Sequence, residues 1–139
     1  MNRQELSRDI HNSMYQQRNR RGYATPVDTF MDCGIISRKV YDDWRFGKIP
    51  YLEKCCNGNL KTLSFALHEM RTYAARNGWK SSLCFYKKWG TKKKNGQGRK
   101  PVIPLRFSKS GNPDIEKQYS THFVDTEKIK KLKEKMLDE

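Results

Sequence analysis

The sequence predicts a mainly α-helical fold: one compact domain of five to seven short helices, with an extended or β-hairpin-like basic segment around residues 80–110. The chain has 139 residues, a length suited to a single hydrophobic core. Aromatic residues make up 12% of it, which is more than disordered chains usually contain. Short stretches of apolar residues at helical spacing, bounded by capping residues and glycines, indicate the helices.

Residues 1–22 are predicted to form a basic N-terminal arm or a loosely docked helix. Leu6, Ile10 and Met14 recur at i, i+4 spacing, which indicates a short amphipathic helix. The polar run that follows, residues 16–22, is typical of a linker or of a flexible basic arm. This part of the chain is therefore expected to lie outside the main core.

Three short helices are predicted in residues 23–60. Thr25 is a suitable N-cap for the first helix, and Ser37 is a suitable N-cap for the second, which ends at Gly47. Pro50 is placed to begin the third, because proline is favoured at the first helical position.

The second and third of these helices, expected at 38–46 and 50–56, are close enough for a helix-turn-helix motif, whose turn often contains glycine. Residues 23–60 hold equal numbers of acidic and basic side chains. A neutral segment is poorly suited to a DNA groove. We therefore interpret this part as scaffold.

The strongest helix signal covers residues 60–76, after the N-cap Asn59. One face is apolar and is predicted to face the core: Leu60, Leu63, Ala66, Leu67, Met70, Tyr73 and Ala74. The opposite face contains Lys61, Phe65, His68, Thr72 and Arg76. Such a set suits contacts with phosphates and bases. The alternative is an ordinary solvated face, with Phe65 buried by a neighbouring element.

Residues 82–89 fit two structures. Ser82 could cap a short helix with Phe85 and Trp89 at i, i+4 spacing. The same residues could form a strand that pairs, through the loop, with residues 101–107. The prolines of that partner would confine it to an edge. We favour the short helix followed by an extended return.

A further helix is predicted to begin at Pro113 and to continue through Phe123. Residues 126–139 are expected to form a C-terminal helix or a frayed tail. Between this tail and the N-terminal arm, residues 23–125 are expected to form the globular domain, with a basic loop at 90–101.

The positive charge is concentrated in the middle of the chain. The net charge is +14, and residues 61–111 hold thirteen Lys and Arg with Glu69 as the only acid. The densest part, residues 85–101, combines seven cations with three aromatic residues. A surface that serves solubility alone usually mixes both signs. The distribution therefore predicts an anionic partner.

We predict that this partner is nucleic acid, either DNA or RNA, because lysines and arginines that neutralise phosphates release condensed counterions. The predicted contact residues are Lys61, Phe65, His68, Arg71, Arg76, Lys80, Lys87, Lys88, Trp89, Lys92, Lys93, Lys94, Arg99, Lys100, Arg106 and Lys109.

Two features near this surface have alternative interpretations. Phe85, Tyr86 and Trp89 could stack on unpaired bases, or they could belong to the core. The turn at 108–113 could bind an anion through the backbone N–H groups that precede a helix. It is not a P-loop, since the required glycine and lysine spacing is missing, and an ordinary turn with an N-cap is the simpler interpretation.

No catalytic or metal-binding motif is present in the sequence. We expect no cofactor and no metal, because the four cysteines lack zinc-like spacing and are expected to be reduced and mostly buried. His68 and His122 are weak catalytic candidates. Two alternatives to a binding protein are a small metal-independent ribonuclease or toxin-like phosphodiesterase, and an inhibitor or interaction module for an acidic protein.

The N-terminus shows no signal-peptide pattern, and no stretch is apolar and long enough for a membrane span. The sequence therefore predicts a cytoplasmic protein that does not interact with membranes.

Overall fold

The computed structural model describes residues 2–93 and 96–137, and the chain begins with its longest helix, α1 (Arg3–Arg21). Leu6, Ile10 and Met14 are almost fully buried, so α1 belongs to the core. The prediction of a loosely docked helix or arm was wrong.

The helix continues through the polar run because buried polar contacts hold it. The side-chain amide of Gln17 donates to the Thr29 hydroxyl at 2.9 Å and accepts from the Thr25 backbone N–H at 2.9 Å. Arg21 forms an ion pair with Asp28 at 2.7 Å. A buried polar group costs little free energy when it keeps its hydrogen bonds, so residues 16–22 can pack against the core in spite of their polarity.

Two predicted short helices are present and a third is not. The helices α2 (Pro26–Asp32) and α3 (Arg38–Arg45) begin after Thr25 and Ser37, whose side chains accept the expected capping hydrogen bonds. The segment predicted at 50–56 contains only one 3-10 turn, Leu52–Cys55. A single turn cannot serve as a recognition helix, so no helix-turn-helix forms here.

The predicted long helix is α4 (Leu60–Arg76), capped by Asn59. Its buried residues are Leu63, Ala66, Leu67, Met70 and Ala74. Leu60 was predicted to face the core but is 64% exposed, because this first residue of α4 lines an open cleft beside Lys109 and Ile115.

A small sheet joins distant parts of the chain. Its strands are β1 (Tyr23–Ala24), β2 (Lys80–Leu83) and β3 (Thr121–Val124), in the order β1-β3-β2 with antiparallel pairing. Phe123 of β3 lies opposite Ala24 on one side and Ser81 on the other. The helix predicted through Phe123 therefore stops early, because pairing on both sides holds these residues extended.

The last two helices are α5 (Pro113–Ser120) and α6 (Thr126–Leu137). The predicted C-terminal helix is thus present, but none of its residues is fully buried. With the six helices and three short strands of the described residues, the fold is the predicted compact, mainly helical single domain.

Candidate nucleic-acid interface

The basic segment after β2 forms two extended arms, which we call the basic ribbon (residues 84–107). The backbone N–H of Lys88 donates to the Ile103 carbonyl at 2.8 Å, and that of Leu105 donates to the Tyr86 carbonyl at 2.9 Å. Lys87 forms an antiparallel bridge with Pro104. The predicted extended, hairpin-like segment is therefore present. The short helix favoured for 82–89 is not formed, because the β2 residues pair with β3 and Tyr86 and Lys88 pair with the second arm.

Backbone hydrogen bonds anchor the ribbon to three other elements. The Trp89 N–H donates to the Arg45 carbonyl at the end of α3 at 2.6 Å. The Cys84 N–H donates to the Ser120 carbonyl at the end of α5 at 3.1 Å. The 3-10 turn donates to the Arg106 and Phe107 carbonyls at 3.2 and 2.8 Å. These bonds hold both arms against the domain.

Arg45 packs in the middle of the aromatic residues that support the first arm. Its guanidinium carbon lies 4.6 Å from the centre of the Trp89 ring and 5.1 Å from that of Tyr86. It also donates to the Tyr41 hydroxyl at 3.1 Å, while its Nε is buried without a hydrogen-bond partner. Trp89 further contacts Phe46 edge to face. Trp89, a predicted contact residue, is therefore half-buried against other side chains. Arg45 was not among the predicted residues, because no local sequence pattern indicates this packing.

Neighbouring side chains of the first arm point in opposite directions. Tyr86 is 9% exposed and packs against Trp44 and Phe107, whereas Phe85 is 87% exposed. The alternation is that of an extended chain. Of the three aromatic residues considered for base stacking, Phe85 is the one that the fold presents to solvent.

The base of the ribbon loop encloses a cationic cleft. The cleft has a volume of about 200 Å³, and its lining includes Lys87, Lys88, Trp89 and Lys100. The Lys88 side chain lies against Gly47 at the end of α3 and is half-buried. Four predicted contact residues thus line one cleft, although Lys100 lies on a different arm from the other three.

Most predicted cationic contact residues are exposed: Lys61, Arg71, Arg76, Lys80, Lys87, Lys92, Lys93, Arg99, Lys100, Arg106 and Lys109. Lys94 lies outside the described residues. Within residues 2–93 and 96–137, no Lys or Arg of the segment 61–111 has a carboxylate oxygen within 4.0 Å. Their charges are therefore available to an anionic partner.

The single acid of this segment is hydrogen-bonded to α1. Glu69 accepts hydrogen bonds from the Ser7 hydroxyl at 3.0 Å and from His11 at 3.3 Å, both on α1. The one carboxylate of residues 61–111 is therefore bound by donors of α1 rather than by a lysine or arginine of the same segment.

The predicted contact face of α4 is only partly available. Lys61, His68 and Arg76 are exposed, but Phe65 is half-buried, with the Arg3 guanidinium carbon 4.8 Å from its ring centre. This agrees with the alternative in which a neighbouring element covers the ring. Arg71, on the same helix, donates to the Gln118 side chain of α5 at 3.3 Å.

The turn at 108–113 is occupied by the protein's own acceptors. Glu116 accepts from the backbone N–H groups of Phe107 and Ser108 at 2.9 and 2.7 Å. Glu53 accepts from that of Lys109 at 2.9 Å. These amides cannot also bind an external anion, so the arrangement agrees with an ordinary capped turn.

Arg106 also serves this turn. Its side chain donates to the Ser108 carbonyl at 2.7 Å and to the Lys109 carbonyl. These bonds use part of the donor capacity of the guanidinium, so fewer of its N–H groups are free for a phosphate. Arg106 therefore contributes mainly to the shape of the turn.

The two histidine candidates share no contact. His122 hydrogen-bonds the Tyr86 hydroxyl at 3.2 Å and stacks beside Tyr23, and burial lowers its pKa, an effect that the nearby Arg21 strengthens. His68 is exposed on α4. Tyr119, three residues before His122, donates to Glu53 at 2.6 Å. Among the described residues, His122 is hydrogen-bonded to a tyrosine hydroxyl and no side-chain hydrogen bond reaches His68.

The cysteines are free, with Cys33 buried and the other three half-buried. Burial raises the pKa of the Cys33 and Cys56 thiols to about 12, so both stay protonated at neutral pH. In the part of the chain that the structure describes, no group of three His, Cys, Asp or Glu side chains is placed to hold a metal ion. Nor is any described helix both long and apolar enough to cross a bilayer.

No family model, curated protein or solved structure matches this chain. Function is therefore inferred from the geometry and charge of the interface.

Proposed function

We propose that the protein binds DNA or RNA through the basic surface of residues 61–111, without catalysis, and that it does so in the cytoplasm. The proposal depends mainly on one observation. The described cations of this segment have no carboxylate partner, and those of the basic ribbon sit on arms that are anchored to the domain. Anchored, unpaired cations bind phosphates without first breaking internal ion pairs.

The affinity should come mainly from counterion release. Each phosphate neutralised by a lysine or arginine returns condensed cations to solution, so the association constant falls as salt rises. The slope of log K against log salt is about −0.9 per phosphate for duplex DNA and about −0.7 for a single strand. The slope measured over several salt concentrations therefore gives the number of phosphates that the protein neutralises.

The test is fluorescence anisotropy with labelled DNA and RNA at several salt concentrations and in EDTA. The triple variant Lys87→Gln, Lys92→Gln, Lys100→Gln should bind more weakly and should lower the slope by about two to three contacts. The matched control, Lys130→Gln, Lys131→Gln, Lys133→Gln, removes the same charge from exposed positions of α6. It should retain most of the affinity and slope.

An equal loss in both triple variants would contradict a localised interface, because it would mean that net charge alone drives binding. Absence of binding at low salt would contradict the proposal itself. Intact RNA after incubation in EDTA is expected, whereas cleavage would favour the ribonuclease alternative.

A further inference from the structure

Phe85 is an exposed aromatic residue in a part of the chain that is held in place. Its ring is 87% exposed, although Tyr86 beside it is buried and hydrogen-bonded to His122. On its other side, the Cys84 backbone is bonded to Ser120. Since the backbone is fixed on both sides, the exposure is a property of the folded domain. Leu83, 52% exposed, lines the same groove as Phe85, and contiguous exposed apolar patches often mark contact surfaces.

The surroundings of Phe85 combine apolar and cationic groups. Together with Leu83, Pro104 and Pro113, the ring lines a groove of about 360 Å³ between the basic ribbon and the start of α5. Lys117 of α5 also lines this groove, and its side chain is exposed. Lys87, two residues after Phe85 along the extended arm, is exposed as well. Glu116 lines the groove too, but both its oxygens accept hydrogen bonds from Phe107 and Ser108. An occupant therefore meets an aromatic side chain together with the free positive charge of Lys117.

The other aromatic residues of the candidate interface pack against side chains of the protein itself. Trp89 lies against Arg45 and Phe46, and Phe65 lies under Arg3. Phe46 is 47% exposed but contacts the Trp89 ring edge to face. Phe85 is thus the ring in this region whose face is open to a partner.

We propose that Phe85 stacks on an unpaired base of a single-stranded nucleic acid, with Lys87 and Lys117 contacting the flanking phosphates. This inference depends on the proposed nucleic-acid binding and specifies its substrate class. In a duplex the base faces are already stacked on each other, so a side chain beside the helix cannot reach them. A single strand offers base faces and phosphates together, which matches an exposed ring in a groove that Lys117 also lines, with Lys87 two residues away on the same arm.

The experiment compares three labelled ligands of about twelve nucleotides, within the range of known single-strand sites. They are a single strand, an abasic strand of equal charge, and a duplex of the same sequence. The wild-type protein should bind the single strand more tightly than the abasic strand. Phe85→Ala should weaken single-strand binding by roughly 5- to 150-fold and leave abasic binding unchanged, because one stacked base is lost.

Two further variants separate stacking from general apolar contact. Phe85→Trp keeps an aromatic face and should restore single-strand affinity. Leu137→Ala shortens an exposed apolar residue outside the ribbon, at the end of α6 and 86% exposed, and should have no effect. Both changes are at the surface, and circular dichroism verifies that each variant is folded.

The outcomes distinguish this inference from the proposed function. If single and abasic strands bind equally well and Phe85→Ala changes nothing, stacking is refuted while nucleic-acid binding stands. If the duplex binds more tightly than the single strand and Phe85→Ala does not change its affinity, stacking is likewise refuted and nucleic-acid binding stands. If none of the three ligands binds at low salt, both proposals fail.

Discussion

At the scale of single residues, carboxylates decide which cations remain available. Glu116 and Glu53 occupy the backbone amides of the turn at 108–113, and Glu69 is turned towards α1. Each of these acids lies close to the basic surface in sequence or in space, and each is bound by hydrogen-bond donors of the protein itself. The lysines are therefore left without internal counterions.

The turn gives a direct test of this arrangement through Glu116→Gln. The two Glu116 oxygens accept three hydrogen bonds, from the Phe107 N–H, the Ser108 N–H and the Ser108 hydroxyl. Glutamine replaces one acceptor by an NH₂ donor, which leaves at least one donor unpaired. The free energy of unfolding in urea should fall by about 1–3 kcal/mol.

The control for this change is Glu134→Gln on α6, at an exposed position. It removes the same charge and should alter the free energy of unfolding by less than about 0.5 kcal/mol. If the two variants were equally stable, the hydrogen bonds to Glu116 would not hold the turn.

At the scale of elements, helices with local signals could be predicted and strands without them could not. Thr25, Ser37 and Asn59 cap helices as expected, because capping depends on a few neighbouring residues. The sheet was missed because its strands have two to four residues and because Tyr23 pairs with Val124 at the other end of the domain. Such pairing leaves no local periodicity to detect.

The extended structure of the basic ribbon could not be predicted either, because it too depends on residues distant in sequence. Phe85 and Trp89 have helical spacing, and only the hydrogen bonds to distant residues make this segment extended. The exposed cations could be predicted from composition, since lysines are rarely buried. Which aromatic ring faces outwards could not, because it depends on the register of the two arms.

The N-cap residue Asn59 should contribute measurably to the stability of α4. The Asn59 side chain accepts from the Thr62 N–H at 2.9 Å and from the Thr62 hydroxyl at 3.1 Å. Asn59→Ala should lower the free energy of unfolding by about 1 kcal/mol, whereas Asn59→Asp, which keeps the acceptor, should cost much less. Thermal and urea denaturation measure both, and an equal loss in the two variants would contradict the capping role.

At the scale of the whole molecule, most of the excess positive charge lies on one continuous stretch of chain. The described ion pairs of Lys and Arg all use cations from the first 48 residues, such as Arg18 with Asp125 and Lys39 with Asp43. The cations of 61–111 thus repel one another without internal compensation. Such self-repulsion lowers the stability of the compact state.

Added salt should therefore stabilise the free protein. Screening weakens the repulsion among like charges, so Tm should rise between about 20 and about 200 mM NaCl. The triple variant at Lys87, Lys92 and Lys100 should show a smaller rise, because it has fewer charges to screen. Circular dichroism at increasing temperature measures both. A fall in Tm with salt would mean that the attractive ion pairs outweigh the repulsion.

The opposite orientations of Phe85 and Tyr86 also restrict how the ribbon can change in length. In an extended arm, inserting or deleting one residue exchanges the inner and outer side chains from that point on. A single-residue change before Phe85 would bring its ring towards Trp44 and turn the Tyr86 ring outwards. Related chains that vary here should therefore differ by even numbers of residues in the arms, whereas the loop at 90–101 can change by any number.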